Sequence, residues 1–410
     1  MEVITSAGNR YFYQRNSNEI SLSPDVDDSE EIILLPPERF NLMPNVDTFV
    51  ICLTTKCNLR CVYCCYSGQY RNTRTHGNES FAAKENLNNL LTFIDNTAFN
   101  KQIHIIFYGG ESIIEFDKMA WIVDVTENTL GERVRFSVST NGTLLTQKII
   151  DWAVRHNVTL NISIDGTQLY HDRYRKSATG EGSYLSAYTA LSFIQSQHLQ
   201  YFNDKINLLT TIYDFSELSE ISQDWMRDAV LRHKPPKLIS EVAANYLQDV
   251  PMVNEEIEKN TLLHLFDIFT TNPDNVVLRV FFNQMIWIWD HRPIYPIDRP
   301  INLQYCFPSN HKLYIDVNGD VGLCEKTVDT MRIGNIRDGI DWDSANKVAQ
   351  AIYNKRKLRC GKCPILRVCD ICPTALDLSD NEMDIFCHNQ LVRFKLQLWL
   401  YCEMAEKEMI

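Results

Sequence analysis

The cysteines of this chain fall into two groups, and the long stretch between them contains none. Five of the 13 cysteines lie between positions 52 and 65, seven lie between 306 and 387, and the last is at 402. The N-terminus lacks the layout of a signal peptide and no run of 18 apolar residues occurs, so we expect a cytoplasmic protein. Disulfides rarely persist in that compartment, so each group predicts metal ligands rather than covalent links.

Composition limits the remaining possibilities. The chain has 410 residues, 45% of them apolar, which is enough for two or three domains or for one large barrel with an extension. The formal net charge of −12 argues against binding to a nucleic-acid backbone. Cys52 and Cys402 lie in apolar runs, which favours ordinary buried thiols at those two positions.

The stretch between the cysteine groups shows repeated strand–helix units. Strands are predicted at 48–55, 103–108, 134–140, 159–165, 206–212 and 237–242, and helices near 80–97, 116–130, 146–156, 183–197 and 217–231. Six units in succession predict a parallel sheet. Because a closed barrel of this kind needs eight units, we predict an α/β fold with an open, partial barrel.

Polar or glycine-rich segments follow four of these strands. The first cysteine group follows the first strand, GGE (109–111) follows the second, NG (141–142) the third, and DG (165–166) ends the fourth. The carboxyl ends of parallel strands share one edge of a sheet, and chemistry gathers at that edge. The four segments therefore predict one site.

Three cysteines of the first group, Cys57, Cys61 and Cys64, have the spacing C-x3-C-x2-C. Such a loop can direct three thiolates at one [4Fe-4S] cluster and leave the fourth iron open to another ligand. With a strand before it and Tyr63 just before the third cysteine, the pattern resembles the radical S-adenosylmethionine (SAM) superfamily. A three-cysteine zinc site is the alternative.

The resemblance implies a specific chemistry. In that superfamily the open iron chelates the amino and carboxylate groups of SAM, and the cluster donates the electron that cleaves SAM to a 5′-deoxyadenosyl radical. An external one-electron reductant of the flavodoxin or ferredoxin type is implied as a partner. Cys65 is then left as a packing residue beside the loop.

Gly109, Gly110 and Glu111 look like the GGE motif of the same superfamily, with Ser112 where proline is usual. Glycines permit a close backbone approach. The resemblance makes these three residues candidates for binding SAM, with the acid or nearby carbonyls receiving its ammonium group.

The segments STNGTLL (139–145), SIDG (163–166) and HDRYRKS (171–177) add further candidates. The resemblance assigns contacts with SAM to Tyr63, Ser139, Asn141, Asp165 and Arg175. Asn141 and Asp165 stand beside glycines, so turn formation is an alternative role for them. For Arg175 the alternative is a solvated side chain.

The second cysteine group resembles the SPASM extension of radical SAM enzymes, which binds two auxiliary iron–sulfur clusters. Carried over, the outer cluster is ligated by Cys360, Cys363, Cys369 and Cys387, and the inner cluster by Cys306, Cys324 and Cys372. The spacing between Cys369 and Cys372 is C-x2-C where the family usually has C-x3-C, so Cys372 departs from the pattern. A zinc ribbon is the alternative.

The inner cluster has three assigned ligands, whereas a four-iron cluster requires four. We expect its fourth iron to be open or to be held by a non-cysteine group such as Asp298, because the nearest unassigned cysteine toward the C-terminus is Cys402. An open iron facing the barrel mouth would bind and deprotonate a substrate cysteine. It would thereby favour thioether formation by proximity.

Four segments are expected: an N-terminal hairpin or cap (1–47), the radical SAM partial barrel (48–242), a helical bridge (243–300) and the SPASM domain (301–410). Strand-like residues flank NSNE (16–19) and predict the hairpin. It either contacts the leader of a precursor peptide by strand addition or merely covers the barrel.

Together these features predict a peptide maturase with three [4Fe-4S] clusters that crosslinks a precursor peptide, without membrane or nucleic-acid partners. Glu325, directly after Cys324, is the candidate general base, with a salt bridge to Lys326 or Arg332 as the alternative role. Sulfatase-maturing relatives, which oxidise Cys or Ser to formylglycine, place an acid at that position and give the alternative function. A non-catalytic, metal-stabilised scaffold is the second alternative.

Overall fold

The structure is a computed structural model that describes residues 1–24, 31–43, 45–64, 76–99, 101–242, 251–294, 301–302, 311–325, 331–371 and 378–410. The strands are β1 Glu2–Ile4, β2 Arg10–Gln14, β3 Glu19–Ser21, β4 Leu34–Leu35, β5 Thr48–Thr54, β6 Ile103–Gly109, β7 Val134–Thr140, β8 Thr159–Ser163, β9 Ile206–Ile212, β10 Pro236–Glu241, β11 Ile301–Asn302, β12 Lys312–Ile315, β13 Asp320–Gly322, β14 Arg332–Asn335 and β15 Gly339–Ile340. The helices are α1 Ala83–Thr97, α2 Phe116–Leu130, α3 Gln147–Arg155, α4 Gln168–Tyr174, α5 Tyr184–Gln197, α6 Leu199–Lys205, α7 Leu218–Arg227, α8 Glu255–Thr271, α9 Val276–Asp290, α10 Trp342–Lys357 and α11 Asp380–Glu406.

The main sheet runs in the order β10-β9-β8-β7-β6-β5-β12-β13-β14-β15. Strands β5 to β10 are parallel neighbours in chain order, so the predicted succession of parallel strands is confirmed. The sheet continues beyond the first of them, however, because β12 pairs with β5 in parallel and leads into antiparallel β13 to β15. Among the described residues, the C-terminal region thus adds a further parallel strand, β12, that the sequence analysis did not predict.

The two faces of the parallel strands differ in polarity. Alternate residues point outwards under the helices, as Phe49 does where its ring meets that of Phe93 at 6.2 Å. Inward-facing positions on β6 to β9 carry polar side chains, among them His104, Ser137, Asn161 and Asn207. Hydrogen bonds link His104 Nε2 with Ser137 Oγ at 2.6 Å and Asn207 Nδ2 with Asn161 Oδ1 at 2.9 Å.

We call the space on this inner face the lumen. His104, Asn161 and Asn207 are half-buried, so their polar groups remain accessible from the lumen. The interiors of closed barrels are instead filled by layers of branched apolar side chains. Val50, Cys52 and Tyr314 pack together on the inner side of β5 and β12, so the part of the lumen under β6 to β9 is the part suited to a polar ligand.

The free edge of β10 is covered by a side chain of α9. Gln284 Oε1 accepts a hydrogen bond from Ile239 N at 3.0 Å, and its Nε2 donates to Ile239 O at 3.2 Å. An amide side chain thus occupies the place of a neighbouring strand, which blunts an edge that would otherwise attract another chain. Both α8 and α9 lie within the predicted helical bridge.

The predicted N-terminal hairpin is present as β2 and β3, joined by a turn at residues 15–18. Asn18 supplies the positive φ of 67° that such a turn needs. Strand β1 adds a third antiparallel strand that the sequence analysis missed. The turn residues Arg15, Asn16, Ser17 and Asn18 are at most 6% exposed, so this polar tip is buried against the rest of the protein.

Helix α11 spans 27 residues and begins with a capping box formed by Ser379 and Glu382. It packs against α9 and β1, so the C-terminal end of the chain supports the N-terminal sheet. Within the described ranges, no helix combines the length and the apolar character that crossing a membrane requires.

Candidate active site

The segment between β5 and residue 64, which we call the cysteine loop (55–64), is fixed along one side. Arg60 N donates to Lys176 O at 2.6 Å, and Val62 N donates to Tyr174 O at 3.0 Å. Leu59 also forms an isolated bridge with Ser177. The segment after α4 therefore acts like a short partner strand and holds the loop at the carboxyl end of β5.

Cys57, Cys61 and Cys64 are all half-buried in this loop. Cys64 N donates to Cys61 O at 3.1 Å, and Leu59 N donates to Cys57 Sγ at 3.4 Å. Burial raises the pKa of Cys57 to about 11, and the neighbouring Glu111 and Cys61 add to that shift. The three thiols therefore share one partly desolvated region, as ligands of a common metal group must.

The spacing of the sulfurs bears on the zinc alternative. Across the part of the chain that the structure describes, no three cysteine sulfurs lie within 4.8 Å of one another. Tetrahedral zinc with 2.3 Å bonds would hold its sulfurs about 3.8 Å apart. The described residues therefore hold no three thiols at the spacing of a single zinc ion.

The GGE motif lies directly against the cysteine loop. Gly110 N donates to Thr54 O and Glu111 N donates to Lys56 O, both at 2.8 Å. A Cβ atom on Gly110 would lie 2.1 Å from Lys56 O, and one on Gly109 would lie 2.3 Å from Thr54 O. The close approach that the glycines permit is thus used by the cysteine loop itself.

Glu111 is 1% exposed and joins three segments through its carboxylate. Its Oε1 accepts from Ile113 N at 3.1 Å and from Thr140 Oγ1 at 2.7 Å, and its Oε2 accepts from Asn141 N at 2.7 Å. Burial raises its pKa, although these hydrogen bonds oppose that shift. Since each carboxylate oxygen can accept two bonds, Oε2 retains capacity for one more donor.

Asn141 forms the turn after β7, in agreement with the alternative role that the sequence analysis gave it. Its Oδ1 accepts from Thr143 N at 3.0 Å and from Thr143 Oγ1 at 2.6 Å, and its Nδ2 donates to Asn58 Oδ1 at 2.9 Å. The turn is therefore tied to the cysteine loop. Ser139 faces the lumen, and its hydroxyl has no hydrogen-bond partner among the residues described.

Asp165 and Arg175 form a buried ion pair at the end of β8. Arg175 Nε and Nη2 donate to the two oxygens of Asp165 at 2.6 and 3.1 Å, and Thr211 N donates to Oδ1 at 2.8 Å. The side chain of Asp165 is 2% exposed and that of Arg175 is 10% exposed. The alternatives of a turn role for Asp165 and a solvated Arg175 are therefore wrong.

Tyr63 connects this ion pair to the cysteine loop. Its hydroxyl donates to Asp165, and the Arg175 guanidinium lies 5.2 Å from the centre of its ring. Burial raises the pKa of Tyr63 well above its usual range, so the phenol remains a donor. Burial also raises the pKa of Cys61, and the neighbouring Arg175 opposes that shift, which places a fixed positive charge beside a loop cysteine.

His171, which the sequence analysis passed over, is fully buried beneath the ion pair. Asp165 N donates to His171 Nδ1 at 3.3 Å, and Nε2 lies 3.0 Å from Ser183 Oγ, which donates to Arg175 O at 2.8 Å. This chain of bonds requires a neutral imidazole with its proton on Nε2. Burial lowers its pKa to about 4, in agreement with that form.

Four cysteines of the second group, which we call the outer cysteine cluster, come together: Cys360, Cys363, Cys369 and Cys387. Cys360 raises the pKa of Cys363, and both raise the pKa of Cys387, although burial has the largest effect in each case. Burial, with a smaller effect of Cys363, raises the pKa of Cys369 to about 12. The predicted ligands Cys306 and Cys372 lie outside the described residues, as does Cys65.

Glu325 forms an ion pair with Lys312, whose Nζ lies 2.8 and 3.1 Å from its two oxygens. The sequence analysis had given Lys326 or Arg332 as the alternative salt-bridge partner of Glu325. Arg332 pairs with Asp320 at 2.5 Å instead, and Lys326 lies outside the described residues. The sequence could not reveal Lys312 as the partner, because the contact depends on the pairing of β12 with β13.

The position of Glu325 corrects the expected placement of the inner cluster. Lys312 begins β12 and is aligned with Thr48, the first residue of β5. The cysteine loop follows Thr54 at the other end of β5, six steps or about 20 Å away. Cys324 and Glu325 therefore lie at the amino ends of the strands, at the end of the lumen opposite the cysteine loop.

Cys402 is 2% exposed in α11, and its pKa is raised to about 12, mainly by burial and then by Glu406. Arg292 is a further neighbour, and no other cysteine of the described residues contributes to that shift. Among the described residues, nothing therefore links Cys402 to the inner cluster. Asp298, the other candidate, lies outside the described residues.

Residues 51–187, from β5 into α5, match the Radical SAM superfamily. This stretch contains the cysteine loop, the GGE motif and the Asp165–Arg175 pair described above. The match covers about a third of the chain, and residues 51–187 are therefore a radical SAM domain.

Similar sequences include enzymes that modify peptides and proteins. An uncharacterized protein of Methanocaldococcus jannaschii, MJ0907, is 24% identical over 70% of this chain and 88% of its own length. The cysteine-type anaerobic sulfatase-maturating enzyme of Clostridium novyi is 31% identical over 39% of this chain, and the radical SAM cyclopropyl synthase TigE of Paramaledivibacter caminithermalis is 24% identical over 46%. The matches span 41% of each of these last two enzymes.

Two solved structures resemble the fold. One is anSMEcpe with bound AdoMet, with a TM-score of 0.63 and 18% identity, over 88% of this chain and 95% of that one. The other is Streptococcus suis SuiB bound to precursor peptide SuiA, with a TM-score of 0.53 and 13% identity, over 80% and 72%. At such identities the likeness concerns the fold alone, and it confirms the predicted parallel α/β architecture.

Proposed function

We propose that this protein is a radical SAM maturase that modifies a peptide, with a crosslink as its product. The observation that carries the proposal is the cysteine loop, whose three cysteines are held at the carboxyl edge of the sheet above a polar lumen. Relatives that act on sulfatases, and a fold relative bound to a precursor peptide, support a peptide as the substrate.

The cysteine loop has the donor set for a [4Fe-4S] cluster with an open iron, and that cluster, once bound with SAM, supplies the 5′-deoxyadenosyl radical. Glu111 Oε2 has capacity for the ammonium of SAM, and Ser139 offers a hydroxyl from the lumen face. Asn141 and the Asp165–Arg175 pair keep the surrounding loops in place, with Tyr63 as the link. The glycines of the motif are needed for backbone contact rather than for ligand contact.

The crosslinking reaction removes one hydrogen atom, one proton and one electron from the peptide. SAM, once cleaved at the bound cluster, would supply the acceptor for the hydrogen atom from a side chain or Cα, and a thiolate of the peptide would then bond to that carbon. Glu325, held by Lys312, would receive the thiol proton at the amino end of the lumen, and the thiolate would then move along the lumen to the carbon near the cysteine loop. The surplus electron would pass to an auxiliary cluster.

The two auxiliary clusters belong to this proposal. The outer cysteine cluster brings four thiols together and fits one [4Fe-4S] cluster. The inner cluster would use Cys324 with Cys306 and Cys372, its fourth position open. The domain boundaries at 47, 242 and 300, the flavodoxin- or ferredoxin-type reductant and leader contact by the hairpin are likewise proposed.

A second candidate function is maturation of a sulfatase to its formylglycine form. The position of Glu325 next to Cys324 favours it, because an acid in that place suits deprotonation of a substrate Cys or Ser. The sequence relatives include enzymes of both kinds, so they support it equally.

One experiment separates these functions from each other and from a scaffold. The anaerobically reconstituted, reduced enzyme is incubated with SAM and either the short peptide encoded nearest its gene or a sulfatase-derived peptide. A maturase forms 5′-deoxyadenosine and lowers the mass of the first peptide by two units, because a crosslink removes two hydrogens. Modification of only the sulfatase peptide would favour formylglycine formation, and absence of 5′-deoxyadenosine would leave the scaffold.

A further inference from the structure

The buried tip of the N-terminal hairpin docks onto the loop that carries the outer cysteine cluster. Arg15 Nη1 lies 3.4 Å from Gly361 O, and Arg367 Nε donates to Arg15 O at 2.8 Å. Gly361, between Cys360 and Cys363, also accepts from Ile32 N at 2.9 Å. Three separate N-terminal contacts thus converge on one cysteine-bearing loop.

The other side of the hairpin tip is fixed as well. Asn18 Nδ2 donates to Pro293 O at 2.7 Å, and Asn18 O accepts from Arg292 Nε at 2.9 Å. The hydroxyl of Tyr13 donates to Asn18 Oδ1 at 2.7 Å, and its ring meets Trp289 edge-on at 5.0 Å. Such anchoring fixes Arg15 in one place, so its burial is not incidental.

A second buried arginine approaches the same cysteines from α10. Arg356 is 2% exposed, as buried as an apolar core residue, and its carbonyl accepts from Cys360 N at 2.8 Å. Its guanidinium is close enough to lower the pKa of both Cys363 and Cys369, against the larger effect of burial. Arg15, which is 3% exposed, acts on Cys363 in the same direction.

Two buried guanidinium groups beside four thiols place fixed positive charge next to the proposed cluster. Four thiolates outweigh the positive charge of an iron–sulfur core, so the centre is anionic and gains another negative charge on reduction. A fixed cation nearby stabilises the reduced state more than the oxidised one, which raises the reduction potential.

We propose that Arg15 of the hairpin tip and Arg356 of α10 are the counter-charges of the auxiliary cluster held by the outer cysteine cluster, and that they raise its reduction potential. The inference rests on the proposed identity of that cluster. It gives the N-terminal hairpin a role at an electron-transfer centre. The hairpin is then part of the cluster site whether or not it also contacts a leader peptide.

The test measures the potential of the cluster without SAM or peptide. All variants are made in a parent whose three cysteine-loop cysteines are alanine, so that the radical SAM cluster is absent. After anaerobic reconstitution with iron and sulfide, metal content is measured and the midpoint potential is determined by an EPR-monitored redox titration. Arg15→Gln and Arg356→Gln should shift the outer-cluster signal to a more negative potential.

Matched controls separate charge from general damage. Arg10→Gln changes an exposed arginine of the same hairpin, and Lys347→Gln changes an exposed lysine of α10, and neither should shift the potential. Arg15→Lys and Arg356→Lys retain the charge and should stay close to the parent. If a glutamine variant takes up no iron, the lysine variant at the same position is the test. A lysine variant that takes up iron and has the midpoint potential of the parent supports the inference, and a lysine variant that takes up no iron overturns it.

One result would refute the role of the two arginines, and another would refute the cluster itself. Unchanged potentials in both glutamine variants would overturn the role of the arginines and leave the cluster itself intact. A parent that binds zinc, or that shows no signal assignable to the outer cysteine cluster, would overturn the proposed cluster and the inference with it.

Discussion

The buried ion pair between Asp165 and Arg175 offers a sharp test of how the candidate site is held together. In Asp165→Asn the two bonds from Arg175 lose their charged acceptor, although the guanidinium remains buried at 10% exposure. Removing one partner of a buried pair leaves an uncompensated charge and costs about 3–5 kcal/mol. We expect a loss of this size in the free energy of unfolding.

An exposed ion pair supplies the control. Arg133 Nη1 lies 2.9 Å from Asp95 Oδ1, with side-chain exposures of 35% and 47%. Breaking such a pair costs about 0–1 kcal/mol, so Asp95→Asn should differ little from the wild type. Both variants are unfolded in guanidinium chloride without metal, and the midpoints are compared at matched slopes, by fluorescence and by circular dichroism.

The same substitution should disturb the cysteine loop. Tyr63 loses a charged acceptor, and Cys61 lies next to an arginine that is no longer held in place. Iron uptake by the loop should therefore fall in Asp165→Asn and remain normal in Asp95→Asn. Equal stability losses in the two variants, together with equal iron uptake, would refute the view that this pair organises the site.

Three further outcomes are expected. Changing the three cysteines of the cysteine loop to alanine together should abolish 5′-deoxyadenosine formation and leave the fold unchanged by circular dichroism; undiminished 5′-deoxyadenosine would contradict the assignment. Glu325→Gln should keep SAM cleavage near wild type while product formation falls by about 10²–10⁴-fold, the usual contribution of one general base, and Lys312→Met should weaken product formation in the same direction. A parallel fall of both activities would mark a structural role instead. Folding lowers the pKa of His171 from 6.5 to about 4, so between these pH values the unfolded chain binds a proton that the folded chain does not bind. The free energy of unfolding should therefore decline as pH falls from 6.5 to about 4. His171→Asn should flatten that decline in unfolding midpoints measured across this pH range.

The parallel strands and the site at their carboxyl ends were accessible from the sequence because they depend on local patterns. Each predicted strand is a short apolar run followed by a turn signal, and parallel pairing of successive units brings those turn signals to one edge. Gly109 and Gly110 illustrate the limit of that reasoning. The sequence indicated a close backbone approach, but only the register of β5 with β6 shows that the cysteine loop is the segment approached.

The features that the sequence did not reveal depend on contacts between distant segments. β12 joins β5 across more than 250 residues, and no local pattern specifies that pairing. The hairpin tip at residues 15–18 is polar and would be placed in solvent by composition alone, yet it is buried against the outer cysteine cluster. Arg175 likewise looks like a surface residue until its buried partner Asp165 is known.

The distance between the two ends of the lumen predicts the minimum length of the substrate. The cysteine loop lies at the carboxyl end of β5, and Glu325 lies beside Lys312 at the amino end, about 20 Å away along the strand direction. Polar side chains such as His104 and Asn161 line the inner face between them. Any substrate handled at both ends must therefore extend into the lumen.

An extended peptide advances about 3.3 Å per residue, so about six residues span that distance. An extended segment can reach both ends, with its backbone bonding to the polar side chains of β6 to β9. Once mass spectrometry has located the modified residues, peptides truncated from both sides should lose kcat/KM steeply below about six residues. Equal turnover of a dipeptide would show that the two ends of the lumen do not act on one substrate, and would remove Glu325 from the reaction.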